Sequence, residues 1–412
     1  MKLLTDKVNF NFFYLLFGQT ISQLGDKFYS FALAYLVLNT TKSTTAMGTV
    51  ILFPMLSSII TGFLLGGFID RHSRKAILII TDIIRGLVIA AVTLLFSIDA
   101  LTLPIIIFSQ IILSVCSAFF SPTVFSVLPQ IVKKDRLAKA NARMQLITAS
   151  VTIIGPLLAG VMVANIGYIF IFIFNTISFF LATILTTKIN IPSVAKKENK
   201  VQNKFSDGYK YIFKKKSLLA VVIVVAVGHF FVGAIDVVIP ALSIKLQGNG
   251  AQNMGYIQTF FEVGALAASI LLNIVNINNR EDKVLFTSLY IIGGIYILLG
   301  VLFTAKVMSV VPYLFVFLLY SSVIMFAATC FQVILQKNIE ESMSGRVWSI
   351  VNFLGNCSMP LAVAVVGFML DYIRFAYLTT AIGITIFPLV TFLCILYSKG
   401  NIKKEIKQLI IE

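Results

Sequence analysis

The ten residues GGFIDRHSRK at 66–75 set one acid, Asp70, and three bases, Arg71, Arg74 and Lys75, between two long apolar stretches. A turn this short with apolar chain on both sides marks a membrane border. Its excess of bases places it on the side of the bilayer that retains positive charge. It therefore fixes the two flanking spans and orients the chain.

Outward from this turn, apolar residues dominate. Of the 412 residues, 58% are hydrophobic and 12% charged. The mean hydropathy of +0.95 lies outside the range of soluble globular domains. This apolar content fills roughly twelve spans of ~20 residues. The runs predict spans at 9–38, 44–68, 77–97, 103–128, 138–164, 166–188, 217–244, 252–275, 284–304, 309–335, 345–370 and 373–398. The expected fold class is all-α integral membrane, with twelve transmembrane helices in two pseudo-symmetric six-helix bundles. The N-terminal bundle is expected over 1–190, a cytoplasmic linker over 191–216, the C-terminal bundle over 217–398 and a cytoplasmic tail over 399–412. The first span follows a short head, Met1–Val8, without a small-residue cleavage site, and reads as uncleaved.

The formal net charge of +16 raises the question of a nucleic-acid partner, and the placement of the bases answers it. Lys42, Lys245, Lys306 and Arg374 fall on one side, and Lys27 and Arg85 lie inside spans. The other bases lie in the head, the even-numbered connections and adjoining helix ends, or the tail. That asymmetry is a topology signal with both termini cytoplasmic, and no nucleic acid is expected. The expected location is the cell (inner, cytoplasmic) membrane, and the expected state a monomer. Cys116, Cys330, Cys357 and Cys394 fall in predicted spans without metal-ligand spacing and read as packed thiols. With two histidines and neither a G-x-x-x-x-G-K-[ST] nor an H-E-x-x-H pattern, no metal site, cofactor or enzymatic activity is expected.

The halves echo each other. LLGGFIDRHSRKAIL from 64 aligns with LLNIVNINNREDKVL from 271, Arg143…Pro156 parallels Arg346…Pro360, and Asp26 finds Asp236. Two repeats of this size are how many transporters are built. The second copy of the turn lacks the acid and most of the bases, so only the first half is expected to keep a charged latch.

Polar residues recur inside the spans. Gln19, Gln23, Asp26 and Ser30 share one helical face of span 1, and Gln110, Ser114, Ser117 and Ser121 repeat the spacing in span 4. Span 7 carries His229, Gly233 and Asp236, span 8 Gln258 and Glu262, and span 10 Gln332 and Gln336. A charge within a span costs ~2.5–3.5 kcal/mol on insertion scales, so it faces protein or water and usually serves function. Asp26, Glu262 and Asp236 are therefore the proton-coupling candidates, each as a proton carrier or a cation contact. Gln19, Gln23, Ser30, Gln110, Ser114, Ser117, His229, Gln258 and Gln332 are candidates to line a substrate cavity. For the serines and glutamines a second reading stands, a bond to a neighbouring helix worth about 0.6 kcal/mol. His229 reads equally as a proton relay or as a hydrogen-bonded packing residue. Asp82 and Arg85, three apart, read as a structural ion pair near the cytoplasmic end, linked to the 66–75 turn. Lys27 points away from Asp26 and reaches the surface by snorkelling.

The 66–75 turn resembles the loop between helices 2 and 3 of the major facilitator superfamily, G-x-L-a-D-R-x-G-R-K. The match falls at Gly66, Asp70, Arg71, Arg74 and Lys75. Phe68 replaces the leucine and Ser73 the second glycine, giving up a residue that tolerates positive φ. IIGPLLAG at 153–160 resembles the helix-5 motif of exporters in that superfamily at Gly155, Pro156 and Gly160, departing from it at Val151 and Ala159. GQTISQLGDKF, SPTVFSVLPQIV with RLAKANA, and SGRVWSI are similar to the macrolide-efflux and multidrug branch. The resemblance spans nearly the whole chain. It implies that spans 1, 4, 7 and 10 line a cavity, that the turn acts as a conformational latch, and that the helix-5 motif is a pliable contact between bundles. It further implies alternating access in a secondary exporter, with proton entry driving a hydrophobic or amphipathic, drug- or macrolide-like molecule outward. The implied partners are a small-molecule substrate, protons or another cation, and membrane lipid. A siderophore exporter, a lysophospholipid translocase and a solute importer share this fold and stay open as alternatives.

Overall fold

A computed structural model of the chain describes residues 10–64, 68–191, 211–213, 216–275, 277 and 280–409. Gly66, the Asp70 side chain and most of the predicted linker lie outside the described residues. The described residues form twelve long helices and no strand. The first six are α1 (Phe10–Thr41), α2 (Thr44–Leu64), α3 (Arg74–Ser97), α4 (Leu103–Ile131), α5 (Leu137–Asn165) and α6 (Tyr168–Thr187). The second six are α7 (Lys216–Ser243), α8 (Gly250–Leu271), α9 (Glu281–Thr304), α10 (Val310–Asn338), α11 (Glu341–Tyr372) and α12 (Phe375–Leu409). Helix is what an apolar solvent demands, because it satisfies backbone donors and acceptors within the segment.

The helices α2 to α12 are each long and apolar enough to cross a membrane. Helix α1 has the length, but Gln19, Gln23, Asp26 and Lys27 dilute its apolar run. Helix α12 continues to Leu409, so the predicted tail begins as an extension of the last span.

The chain divides into two compact units, Met1–Asn199 and Lys200–Glu412. In the first, α1 packs on α5 and α6, α3 on α4 and α6, and α2 on α4. In the second, α7 packs on α11 and α12, α9 on α10 and α12, and α8 on α10. Each pairing recurs six helices later, so the repeat read from scattered residues extends to the packing plan. It reaches even the turns. Asp99, between α3 and α4, has φ 55°, and Lys306, between α9 and α10, has φ 57°. Lys42, between α1 and α2, has φ 56°, and its counterpart between α7 and α8 is Gly248 at φ 88°.

The serine in the 66–75 turn proves well suited to its place. Ser73 has φ −63°, so no glycine is needed, and its side chain caps α3 by accepting a hydrogen bond from Ala76 N. Two bases of the turn bind carbonyls of the same unit. Lys75 Nζ donates to Thr187 O at 2.7 Å and Ile189 O at 2.8 Å, neutralising the negative end of α6. Arg74 Nη1 reaches Ser126 O near the end of α4 at 3.4 Å. Beside them Asn190 N donates to Asn11 Oδ1, tying the start of α1 to the end of α6. Phe12, Leu15, Leu78, Val127 and Leu128 form the apolar core at this end.

In the second unit, α7 and α11 approach closely at Gly233. A Cβ there would lie 2.6 Å from Met359 O and 2.8 Å from Met359 Cα. At Gly294, by contrast, a Cβ would meet nothing within 4 Å. Gly233→Ala should destabilise the protein by about 1–3 kcal/mol through overpacking against backbone. Gly294→Ala should be neutral or slightly stabilising through helix propensity. Thermal melting of the two purified variants in detergent checks the contrast.

Candidate functional site

The polar stripe of α1 meets a charged pair from α3 in the interior of the first unit. Arg85 lies about 16 Å along α3 from its first residue, at 1.5 Å per residue. It therefore sits deep within the span, not near the cytoplasmic end. Its Nη2 donates to Asp82 Oδ1 at 2.8 Å, the i, i+3 pairing expected from the sequence. Its Nη1 lies 3.8 Å from Asp26 Oδ2 on α1, which the sequence had not joined to the pair. Arg85 Nε also reaches Thr81 O at 3.4 Å. The ion pair is thus linked to Asp26 of α1, and the acid of the 66–75 turn, to which the sequence tied it, lies outside the described side chains.

Aromatic rings complete the seat. The Arg85 Cζ lies 4.2 Å from the ring centroid of Phe120 on α4 and 4.7 Å from that of Phe179 on α6. Such cation–π contacts contribute ~2 kcal/mol or more when desolvated. Gly86, next in sequence, leaves the space that Phe179 and Phe180 fill. The two carboxylates differ in access. The Asp26 side chain is 41% exposed, whereas those of Asp82 and Arg85 are 1% and 4% exposed.

A neutral residue that the sequence reading passed over lies beside Asp26. Asn175 of α6 is fully buried with Ser178, one turn on, which donates to its Oδ1 at 3.0 Å. Both face Gly25, where a Cβ would fall 2.7 Å from Ser178 Oγ. Asn175 lies near enough to the Asp26 carboxyl to act on it, and among the described residues its Nδ2 has no partner within hydrogen-bond distance. The available signal was a buried N-x-x-S pair opposite the glycine that precedes a mid-span aspartate. Asp82 Oδ2 is likewise buried without a partner among the described residues.

The other predicted residues divide by role. Gln23 accepts a hydrogen bond from Thr148 of α5 at 3.2 Å, and Ser114 donates to Pro54 O of α2 at 2.6 Å. The Ser114 bond accords with the helix-to-helix reading. Gln19 is buried, Ser117 partly buried and Ser30 exposed. Gly155, Pro156 and Gly160 are buried in α5. A Cβ at Gly155 would lie 3.1 Å from Lys27 Cβ, so this glycine admits the Lys27 stem against α5.

In the second unit His229 Nδ1 bonds Val225 O at 2.9 Å, and its ring packs over Gly355 of α11. That geometry accords with the packing reading. Asp236 lies on α7, as do His229 and the Phe231 carbonyl, which accepts from Tyr296 at 3.2 Å and Tyr320 at 3.0 Å. Gln258 and Glu262 are partly buried on α8, and Gln332 is exposed on α10.

The second unit also keeps an ion pair where its copy of the turn was expected to have lost the latch. Glu281, at the start of α9, pairs with Lys337 near the end of α10. These positions answer Arg74 and Gln130 of the first repeat, which both donate to Ser126 O. The same seat is held by a base and an amide in one unit and by an acid and a base in the other.

The family model of the Major Facilitator Superfamily matches residues 15–363. Macrolide efflux protein A of Streptococcus pyogenes is 20% identical over 367 residues, covering 86% of this chain and 88% of that protein. The putative bacilysin exporter of Bacillus subtilis is 23% identical over 369 residues, covering 87% and 88%. Among solved structures, a POT family transporter is similar at a TM-score of 0.73 and 9% identity, covering 96% of this chain and 99% of that one. A bacterial homologue of the iron transporter ferroportin, in an inward-facing state, is similar at 0.72 and 16%, with coverage of 96% and 99%. At these identities the structural likeness is one of fold.

Lys337→Met should destabilise the protein by about 1.5–3 kcal/mol, the range for hydrogen bonds to charged groups. Glu281→Gln should cost less, because the Lys337 side chain is 51% exposed and regains water, whereas that of Glu281 is 8% exposed. Melting of the two single variants and the double variant measures the coupling.

Proposed function

Since the chain belongs to the Major Facilitator Superfamily, we propose that it is a proton-coupled exporter of hydrophobic or amphipathic small molecules, macrolide-like compounds among them. It is a multi-pass membrane protein, and in this reading a monomeric multidrug antiporter of the bacterial cell membrane with both termini cytoplasmic. Asp26 is the coupling carboxyl, with Glu262 or Asp236 as a second titrating or cation-binding group. Cavity-lining polar groups come from the stripes on α1, α4, α7, α8 and α10, and the 66–75 turn and the α5 motif serve the conformational cycle.

One observation carries the reading. Asp26 is a mid-span carboxylate with an accessible side chain, set opposite a guanidinium that is itself buried. A charge kept at such cost in a span serves transport chemistry by default. The names of the relatives, macrolide efflux protein and putative bacilysin exporter, support outward movement of a small molecule.

Asp26→Asn fixes the neutral form of the side chain. Reconstituted vesicles with an imposed pH gradient should accumulate labelled macrolide through the natural protein and fail to do so through Asp26→Asn. Equilibrium binding of the macrolide should survive the substitution. Gradient-driven accumulation by Asp26→Asn at the natural rate would move the coupling to another group, and insensitivity of the natural protein to a protonophore would remove protons from the reading.

A further inference from the structure

The guanidinium of Arg85 stands between two carboxylates of opposite access, and each side of the arrangement has an open hydrogen-bonding valence. On one side, Asp82 accepts from Arg85 Nη2 through Oδ1 at 2.8 Å, while its buried Oδ2 has no partner among the described residues. A guanidinium can bind a carboxylate through two parallel bonds, and here only one is formed. On the other side, Asp26 Oδ2 stands 3.8 Å from Arg85 Nη1, beyond a good hydrogen bond. The Asn175 Nδ2 beside it is buried and unpartnered. Buried polar groups in native proteins are nearly always bonded. Two vacant valences flanking one under-used guanidinium describe a group with two seats.

We propose that Arg85 is a two-position switch for the coupling carboxyl, with Asp82 as its fixed counter-ion. This rests on the reading of Asp26 as the proton carrier. With Asp26 ionised, Nη1 closes on Asp26 and the Asn175 amide donates to the same carboxylate. When Asp26 takes a proton it no longer attracts the guanidinium. Nη1 then turns to Asp82 Oδ2, completing a bidentate pair, and Asp26 is released from α3. Asp82 makes the exchange possible, since a guanidinium left without a carboxylate in the span would be a costly buried charge. Arg85 and Asp82 are positioning residues, and the proton itself resides on Asp26.

The surroundings contain little else to set the charge state of Asp26. On α1 itself the neighbours are Lys27, whose stem lies against α5, and the buried Tyr29. Helix α3 contributes Asp82 and Arg85, α4 the Cys116 thiol, and α6 the neutral Asn175 and Ser178. Helix α2 carries no charged residue, and α5 none beyond Lys139 and Arg143 near its start.

The test titrates the purified full-length protein in detergent by infrared difference spectroscopy, without substrate. The protonated carboxyl band that disappears in Asp26→Asn identifies the group. Asp82→Asn leaves Arg85 only the Asp26 seat and should move the midpoint of that band about one unit toward acid, a tenfold change in proton affinity. Asn175→Leu removes a donor to the ionised form and should move it toward alkali. Opposite shifts are not what loosened packing produces. Unchanged midpoints, or shifts in one direction for both variants, would overturn the switch. Should Asp82→Asn fail to fold, an unmoved midpoint in Asn175→Leu suffices to reject it. Because this readout needs no transport, a natural protein indifferent to protonophores would defeat the exporter reading separately.

Discussion

A guanidinium in the interior of a membrane bundle must be compensated where it stands, and four helices of the first unit are committed to that task. Arg85 and Asp82 come from α3, Asp26 from α1, Phe120 from α4 and Phe179 from α6. Each neighbour supplies one element of the seat: opposite charge, a second opposite charge, and two aromatic faces. Small residues then let the rings and helices close. Gly86 admits Phe179 and Phe180, and Gly25 admits Asn175 and Ser178. The first unit therefore packs around an ionic centre, and the small residues at its contacts follow from the volume that centre occupies.

The second unit fills the matching positions of α9 with apolar side chains. Following the repeat register, Asp82 and Arg85 give way to Leu289 and Ile292, both buried. A cluster of Phe231, Tyr296 and Tyr320 joins α7, α9 and α10, with hydroxyls converging on the Phe231 carbonyl. Tyrosine provides area and one hydrogen bond where the first unit uses an ion pair. At the border turns the relation reverses. The first unit uses bases on helix-end carbonyls, while the second uses the Glu281–Lys337 pair. One backbone plan thus carries two distributions of charge, and the asymmetry of the units is a matter of side chains rather than topology.

Much of this was legible in the sequence because hydropathy and charge placement answer to the bilayer, which acts on every residue alike. The spans, the two-unit repeat and the Asp82–Arg85 pairing rest on local periodicity and came through directly. The link from Arg85 to Asp26 was not legible, because it joins residues 59 positions apart on different helices and no periodicity connects them. Placing the pair near the border followed from starting the span at 77, whereas the helix begins at Arg74. Asn175 escaped because a neutral amide on a membrane helix carries little signal by itself. Ser114 and His229 were open between two readings, and the partners that the structure gives them, Pro54 O for one and Val225 O with Gly355 for the other, are not visible in a sequence. Glu281–Lys337 was not legible because the two residues lie 56 positions apart on different helices, with no periodicity to join them.

The aromatic part of the Arg85 seat bears on how a switch can work inside a packed bundle. Interiors are close-packed, and a side chain that must travel would need a cavity to travel into. Phe120 and Phe179 hold the guanidinium carbon through attraction to the ring faces, an interaction that fixes position while saying little about which carboxylate the N–H groups address. The exchange between Asp26 and Asp82 then asks for a rotation of the guanidinium within its seat, not a displacement from it. The unit can change the bonding of its ionic centre while its helices keep their packing, which is what a bundle moving as a body requires.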